Sequence, residues 1–160
     1  MQTLVIAANG AHARFFTMPE TQLAANESGP HLVELETFIN PERETTGSAL
    51  WSDNTGGRSG TPGGAHGYDD HREQHRMEYE RRFAAMVAKR AIERMQGMVG
   101  ANLIITAEKR MLGLLRDVIA GRHDFTVREM AKNFCKVSPA ELQGHLVKAG
   151  LLPPVRKPAM

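Results

Sequence analysis

The sequence holds a single cysteine, Cys135, in 160 residues. No internal disulfide can form, which excludes a disulfide-stapled secreted scaffold and makes a reducing compartment the simpler expectation. Long apolar runs are missing too. The opening MQTLVIAANG carries no basic segment before its short apolar stretch, which ends in Asn9-Gly10. That pattern reads as a strand and as neither a signal peptide nor a membrane span, so a cytoplasmic protein without membrane contact is expected. Charge of one sign is nearly cancelled, 20 Lys and Arg against 18 Asp and Glu leaving +2 with neutral histidines. Any anionic partner must therefore be held by local clustering. The signatures of several enzyme classes are absent as well. There is no Gly-x-Ser-x-Gly elbow, HREQH at 71–75 is not HExxH, and the glycine-rich stretch ends in no Gly-Lys-Ser/Thr, which leaves no serine triad, zinc protease or nucleotide loop to build on. No cofactor is implied.

What remains is an ordinary globular composition, 41% hydrophobic and 24% charged, long enough for one domain with one core. Residues 1–152 are expected to form that α/β domain, with 153–160 as a flexible tail. Thr3 to Ala8 is apolar and β-prone, and Asn9-Gly10 is a strong hairpin signal leading into a second strand over 11–17. His31 to Ile39 reads as a third, partly exposed strand. Helical periodicity starts near Arg72 and runs to Gln96, with Phe83, Val87, Ala91 and Met95 one turn apart. Asn102 to Ala107 reads as a strand covered on both faces, Glu108 to Ala120 as a helix with Leu112, Leu115, Val118 and Ile119 inward, and Phe125 to Met130 as an edge strand. Ser138-Pro139-Ala140-Glu141 is a capping box that opens a last helix, with Leu142, Leu146 and Ala149 inward. This order predicts a mixed, about five-stranded sheet with an N-terminal antiparallel three-strand meander and helices on its faces, the order of ribonuclease H-like folds. Whether an exposed sheet edge pairs two copies into a homodimer is left open.

The stretch at about 41–70 has no periodicity and is rich in glycine, and structureless loops of that length are usually functional or mobile. As an anion cradle, Gly56 and Gly57 would let the backbone approach a phosphate, Arg58 would supply a donor fork and Asp53 would brace the turn. Arg82 and Arg116 extend the positive charge on the helices that follow. The competing reading is a solvated helix, since Glu78 and Arg82 stand at ion-pair spacing. As a metal site, His71 and His75 stand four apart and would share a helix face, against the commoner case of solvated histidines at a helix start. Trp51 reads as a pin for the loop's base or as a stacking platform. Cys135 reads as a half-buried structural thiol.

Taken together, ANGAHARFF at 8–16, SDNTGGRS at 52–59, RRFAAMVA at 81–88, LIITAEKRMLGLLR at 103–116 and ELQGHL at 141–146 resemble the bacterial host attachment family. That family is similar to the middle domain of archaeal and eukaryotic class-I release factors. The resemblance implies that fold, a tRNA or ribosome partner and an RNA-binding role in translation. In the release factors a Gly-Gly-Gln loop positions the hydrolytic water, and here Gly56-Gly57 is followed by Arg58. Hydrolysis is therefore not carried over, and no catalytic residue is assigned. Two alternatives stand beside this reading: an interaction protein for host attachment using the 41–70 loop, and a peptidyl-tRNA hydrolase with an unconventional water-positioning group.

Overall fold

A computed structural model describes residues 2–19, 28–41, 62–98, 100–121 and 124–157, with side chains of the long helix from residue 72 onward. Strands β1 (Thr3–Ala8), β2 (His12–Thr17) and β3 (Val33–Ile39) come first, then helix α1 (Pro62–Met95), β4 (Ala101–Ala107), α2 (Lys109–Ile119), β5 (Phe125–Met130) and α3 (Pro139–Lys148). The strands form one five-stranded sheet in the order β3-β2-β1-β4-β5. β1 pairs antiparallel with β2, and β2 antiparallel with β3, whereas β4 runs parallel to both β1 and β5. The sheet is therefore mixed, with β3 and β5 at its edges.

The alternation of strand side chains divides the interior into two layers. Leu4, Ile6, Ala8, Ala13, Phe15, Leu103 and Ile105 face α1 and α2, meeting Phe83, Val87, Ala91 and Met95 of the first helix and Met111, Leu112 and Leu115 of the second. The opposite face presents Val5, Ala7, Phe16 and Ile104 to Leu142 and Leu146 of α3. Central strands β1 and β4 are covered on both sides, which is why TLVIAA and NLIITA read as nearly unbroken apolar runs.

Three expectations need correction. Helix α1 starts at Pro62, so residues 62–70 belong to the helix and not to the loop. Proline is at home in a first helical turn, and extension from a segment already packed between 83 and 95 offsets the roughly 1 kcal/mol that each interior glycine costs. Val118, expected inward, is 44% exposed, because the α2 stripe that meets the sheet runs through Met111, Leu112, Leu115 and Ile119. Ala149 is exposed and has become the C-cap of α3, while the polar Gln143 takes an inward place. Within the segment expected as a flexible tail, the Arg156 N–H and C=O pair with the C=O and N–H of Gly29 at 3.0 and 2.9 Å. A backbone bridge of that kind leaves no trace in side-chain patterning.

Local signals explain the element ends. Ser138 accepts a hydrogen bond from the Glu141 N–H at 3.2 Å, with Pro139 in the first turn. Gly97 and Gly150 close α1 and α3 with φ of +80° and +77°, a conformation that side chains with a Cβ seldom adopt. The Asn9 Oδ1 accepts from the N–H groups of both Ala11 and His12 at 2.8 Å, closing the β1–β2 turn.

Candidate functional site

One face of α1 carries two stacked rings with a guanidinium beside them. His75, Tyr79 and Arg82 stand four and three residues apart and so share one face of the helix. The His75 and Tyr79 rings stack with centroids 6.0 Å apart and planes at 30°. The Arg82 guanidinium lies 5.9 Å from the Tyr79 ring centre, within reach of a cation–π interaction. Arg82 also donates from Nε toward Glu78 at 3.3 Å, and Arg81 donates to the same carboxylate at 3.1 Å.

Buried Asn40 holds this face in place. Its Nδ2 donates to the carbonyl of Gly10 at 3.1 Å and to that of Tyr79 at 3.3 Å, while its own N–H donates to Ala11 at 2.8 Å. One amide thus joins the β1–β2 turn, the end of β3 and the backbone of the stacked tyrosine. Arg82 and His75 are among the residues the sequence marks, whereas Tyr79 and Asn40 are not. The HxxxYxxR spacing was visible, whereas the role of Asn40 depends on residues 30 and 39 positions away.

The other expected site residues are distributed as follows. Asp53, Gly56, Gly57, Arg58 and Trp51 lie outside the described residues, as does the side chain of His71. Arg116 sits in the last turn of α2 and is gripped by Glu129 of β5, with contacts of 2.7 to 3.1 Å; hydrogen bonding to that carboxylate raises the affinity of the guanidinium for its proton. Among the described residues no group of three His, Cys, Asp or Glu side chains could hold a metal ion. The Cys135 thiol is pushed up to about 11, first by burial, so it stays protonated at neutral pH and is a poor nucleophile.

A second charged assembly braces α1 against the sheet. Glu36 of β3 accepts from Arg90 Nε at 2.6 Å and from Arg94 Nε at 3.0 Å. Hydrogen bonds from Arg90 and then Arg94 hold the Glu36 carboxyl down to about 2, against an ordinary 4.5. Because the folded-state value lies below the unfolded one, the stabilisation is complete above the ordinary value and is lost as pH falls from about 4.5 toward 2. Glu36→Gln is expected to cost about 1 kcal/mol at neutral pH after allowance for solvent screening. In urea unfolding followed from pH 7 downward, the gap between wild type and variant should close through that acid window.

Among the described residues no helix is long and apolar enough to cross a membrane. No curated protein matches the chain. The family model described as "Protein required for attachment to host cells" matches residues 4–146. That match spans both hydrophobic layers, the α1 face and all five strands, and the chain belongs to this host attachment family.

Proposed function

We propose that this family member is an RNA-binding protein that contacts tRNA or the ribosome through the exposed face of α1, without Gly-Gly-Gln hydrolysis. The observation that carries the reading is the His75–Tyr79–Arg82 stack. Aromatic rings with a guanidinium beside them offer bases a stacking surface and phosphates a planar donor, the combination used for unpaired nucleotides. Arg81 and Arg82 are 61% and 56% exposed at their side chains, and exposed ion pairs contribute only about 0–1 kcal/mol, so phosphate can displace Glu78 from them. A sheet in the order β3-β2-β1-β4-β5 with an antiparallel β2 is compatible with a release-factor-like scaffold. Gly56, Gly57 and Arg58, with Asp53 bracing them, would add the loop's contribution, and Arg116 a further contact on α2.

Co-sedimentation with bacterial ribosomes over a salt series tests this. Binding should fall steeply as salt rises, because phosphate contacts release counterions. Tyr79→Ala should weaken it by about tenfold, the equivalent of about 1–3 kcal/mol for one stacked base, and Arg58→Ala and Arg82→Ala should each weaken it further at low salt. Absence of binding at low salt, or binding indifferent to salt, would sink the reading. A second reading, a protein contact in attachment, is favoured by Val33, Leu35 and Ile39, which are 47%, 39% and 52% exposed on edge strand β3. Salt-indifferent capture of a protein partner, lost in Leu35→Lys, would be its signature.

A further inference from the structure

Beyond the α1 face, the carboxyl ends of the parallel strands β1 and β4 open into a cavity of about 360 Å3. Its walls come from the turn after β1 (Asn9), from α1 (Arg76, Glu80), from the β4–α2 junction (Glu108, Arg110) and from the segment after β5 (Asn133). This is the crevice in which open α/β sheets take their ligands, and the volume lies at the small end of ligand pockets, which run from about 300 to 1,000 Å3. Large apolar side chains are absent from its lining.

The partners already made determine what the walls still offer. Glu80 is buried and faces Arg110 Nε at 3.3 Å. Arg110 donates its Nη1 to Glu73 at 3.1 Å, and Arg76 donates to the other oxygen of that carboxylate. Arg110 is thereby committed to two acids. The Asn9 Oδ1 is used by the N–H groups of Ala11 and His12, and the Asn133 Oδ1 by that of Cys135 at 3.1 Å. Each amide therefore has its donor end, Nδ2, to give to a ligand. Glu108 stands at the N-cap of α2 but makes no capping hydrogen bond with its side chain, so its carboxylate is not consumed by the helix. Half-exposed Arg76 is held by Glu73 alone among the contacts above, an ion pair weak enough for another anion to displace.

Donors and a carboxylate in one small polar space repel a ligand of either single sign. An anion drawn to Arg76 meets Glu108 and Glu80, and a cation drawn to Glu108 meets Arg76 and Arg110. A molecule carrying both charges a few bonds apart satisfies both walls. We propose that this cavity binds a free α-amino acid with a small or polar side chain, its carboxylate taken by Arg76 and the amides of Asn9 and Asn133 and its ammonium by Glu108.

The test is isothermal titration of the full chain with glycine, L-serine, L-asparagine, L-glutamate and L-lysine, beside propionate, ethylamine and inorganic phosphate as single-sign probes. At least one amino acid should bind at one site, with the single-sign probes giving no saturable heat under the same conditions. Arg76→Gln and Glu108→Gln should each weaken that binding by about tenfold or more. A second readout uses the unmodified protein: the side-chain NH2 resonances of Asn9 and Asn133 should shift in step with the titration. Failure of every amino acid to bind overturns the proposal. So does propionate or phosphate binding as well as the best amino acid, which would make the cavity an anion site, and so does binding that leaves the two amide resonances unmoved. Ribosome co-sedimentation does not depend on Glu108, so Glu108→Gln separates failure here from failure of the RNA reading.

Discussion

Phe15→Ala is expected to lower the unfolding free energy by about 3–5 kcal/mol, the range for emptying a buried aromatic site. Phe15 is fully buried in β2, opposite Ile6 of β1 and Glu36 of β3. Its ring meets that of Phe38 edge-on, with centroids 5.6 Å apart and planes at 87°, an arrangement that adds about 0.5–1.5 kcal/mol to the area buried. The alanine leaves a hole under α1 and strips Phe38 of its partner at the edge of the sheet. In urea unfolding the midpoint should fall with little change in slope. A loss below about 1 kcal/mol would mean that the α1 layer collapses readily into the gap, contrary to close packing. Because a loss this size is a large part of the usual stability of a domain, the variant should also unfold at a clearly lower temperature.

Gln143→Ala should cost about 2–4 kcal/mol by a different route, since it leaves two polar backbone groups without partners at about 1–3 kcal/mol each. The Gln143 Oε1 accepts from the Leu32 N–H at 2.9 Å, and its Nε2 donates to the Pro30 carbonyl at 2.8 Å. With these two bonds α3 clamps the segment that enters β3, beneath the layer formed by Leu142 and Leu146. Gln143→Glu separates the polar effect from packing, because it keeps the shape and the acceptor but replaces the donor with an oxygen facing the Pro30 carbonyl. Burial and that facing oxygen raise the folded-state value of the new carboxyl above its unfolded value. A carboxyl raised in this way stabilises when protonated, so Gln143→Glu should be poorly stable at neutral pH and recover as pH falls through its folded-state value. Chemical unfolding at neutral and mildly acidic pH decides it. Loss independent of pH would mean that Gln143 acts through volume and not through its amide.

Both predictions rest on residues whose importance was unequally legible. Phe15 belongs to an alternating strand next to an Asn-Gly turn, and its burial follows from the pattern. Gln143 lies in the same helix as Leu142 and Leu146 but looks like a surface residue, and only its meeting with Pro30 and Leu32, more than a hundred positions earlier, makes it structural. Arg14 is a parallel case. Its fork closes on Glu34 at 2.8 and 2.9 Å and on the carbonyls of Cys135 and Val137 at 3.2 and 2.6 Å, joining β2 to β3 and to the segment after β5. In the sequence it is one charged residue in an alternating strand.

The same division holds for the candidate sites. The arginines of α1 and the Glu78–Arg82 pair at helical spacing are legible in the sequence, but the pairing of Arg90 and Arg94 is not, because Glu36 reaches them across 54 and 58 positions. The cavity at the strand ends had no sequence signal. Its walls come from segments near 9, 76, 108 and 133, which become neighbours only once the sheet order is set.

By itself the sequence determined the elements and their kinds, because hydrophobic periodicity, the Asn9-Gly10 turn and the Ser138-Pro139 cap act over a few residues. It also determined membership of the host attachment family, whose residues recur in order along nearly the whole chain. The tertiary structure alone decided which charges are spent on one another, which polar residues are buried and where a cavity opens. Those properties depend on contacts between residues far apart in the chain, whose energies are settled by burial and mutual distance and not by spacing along the backbone.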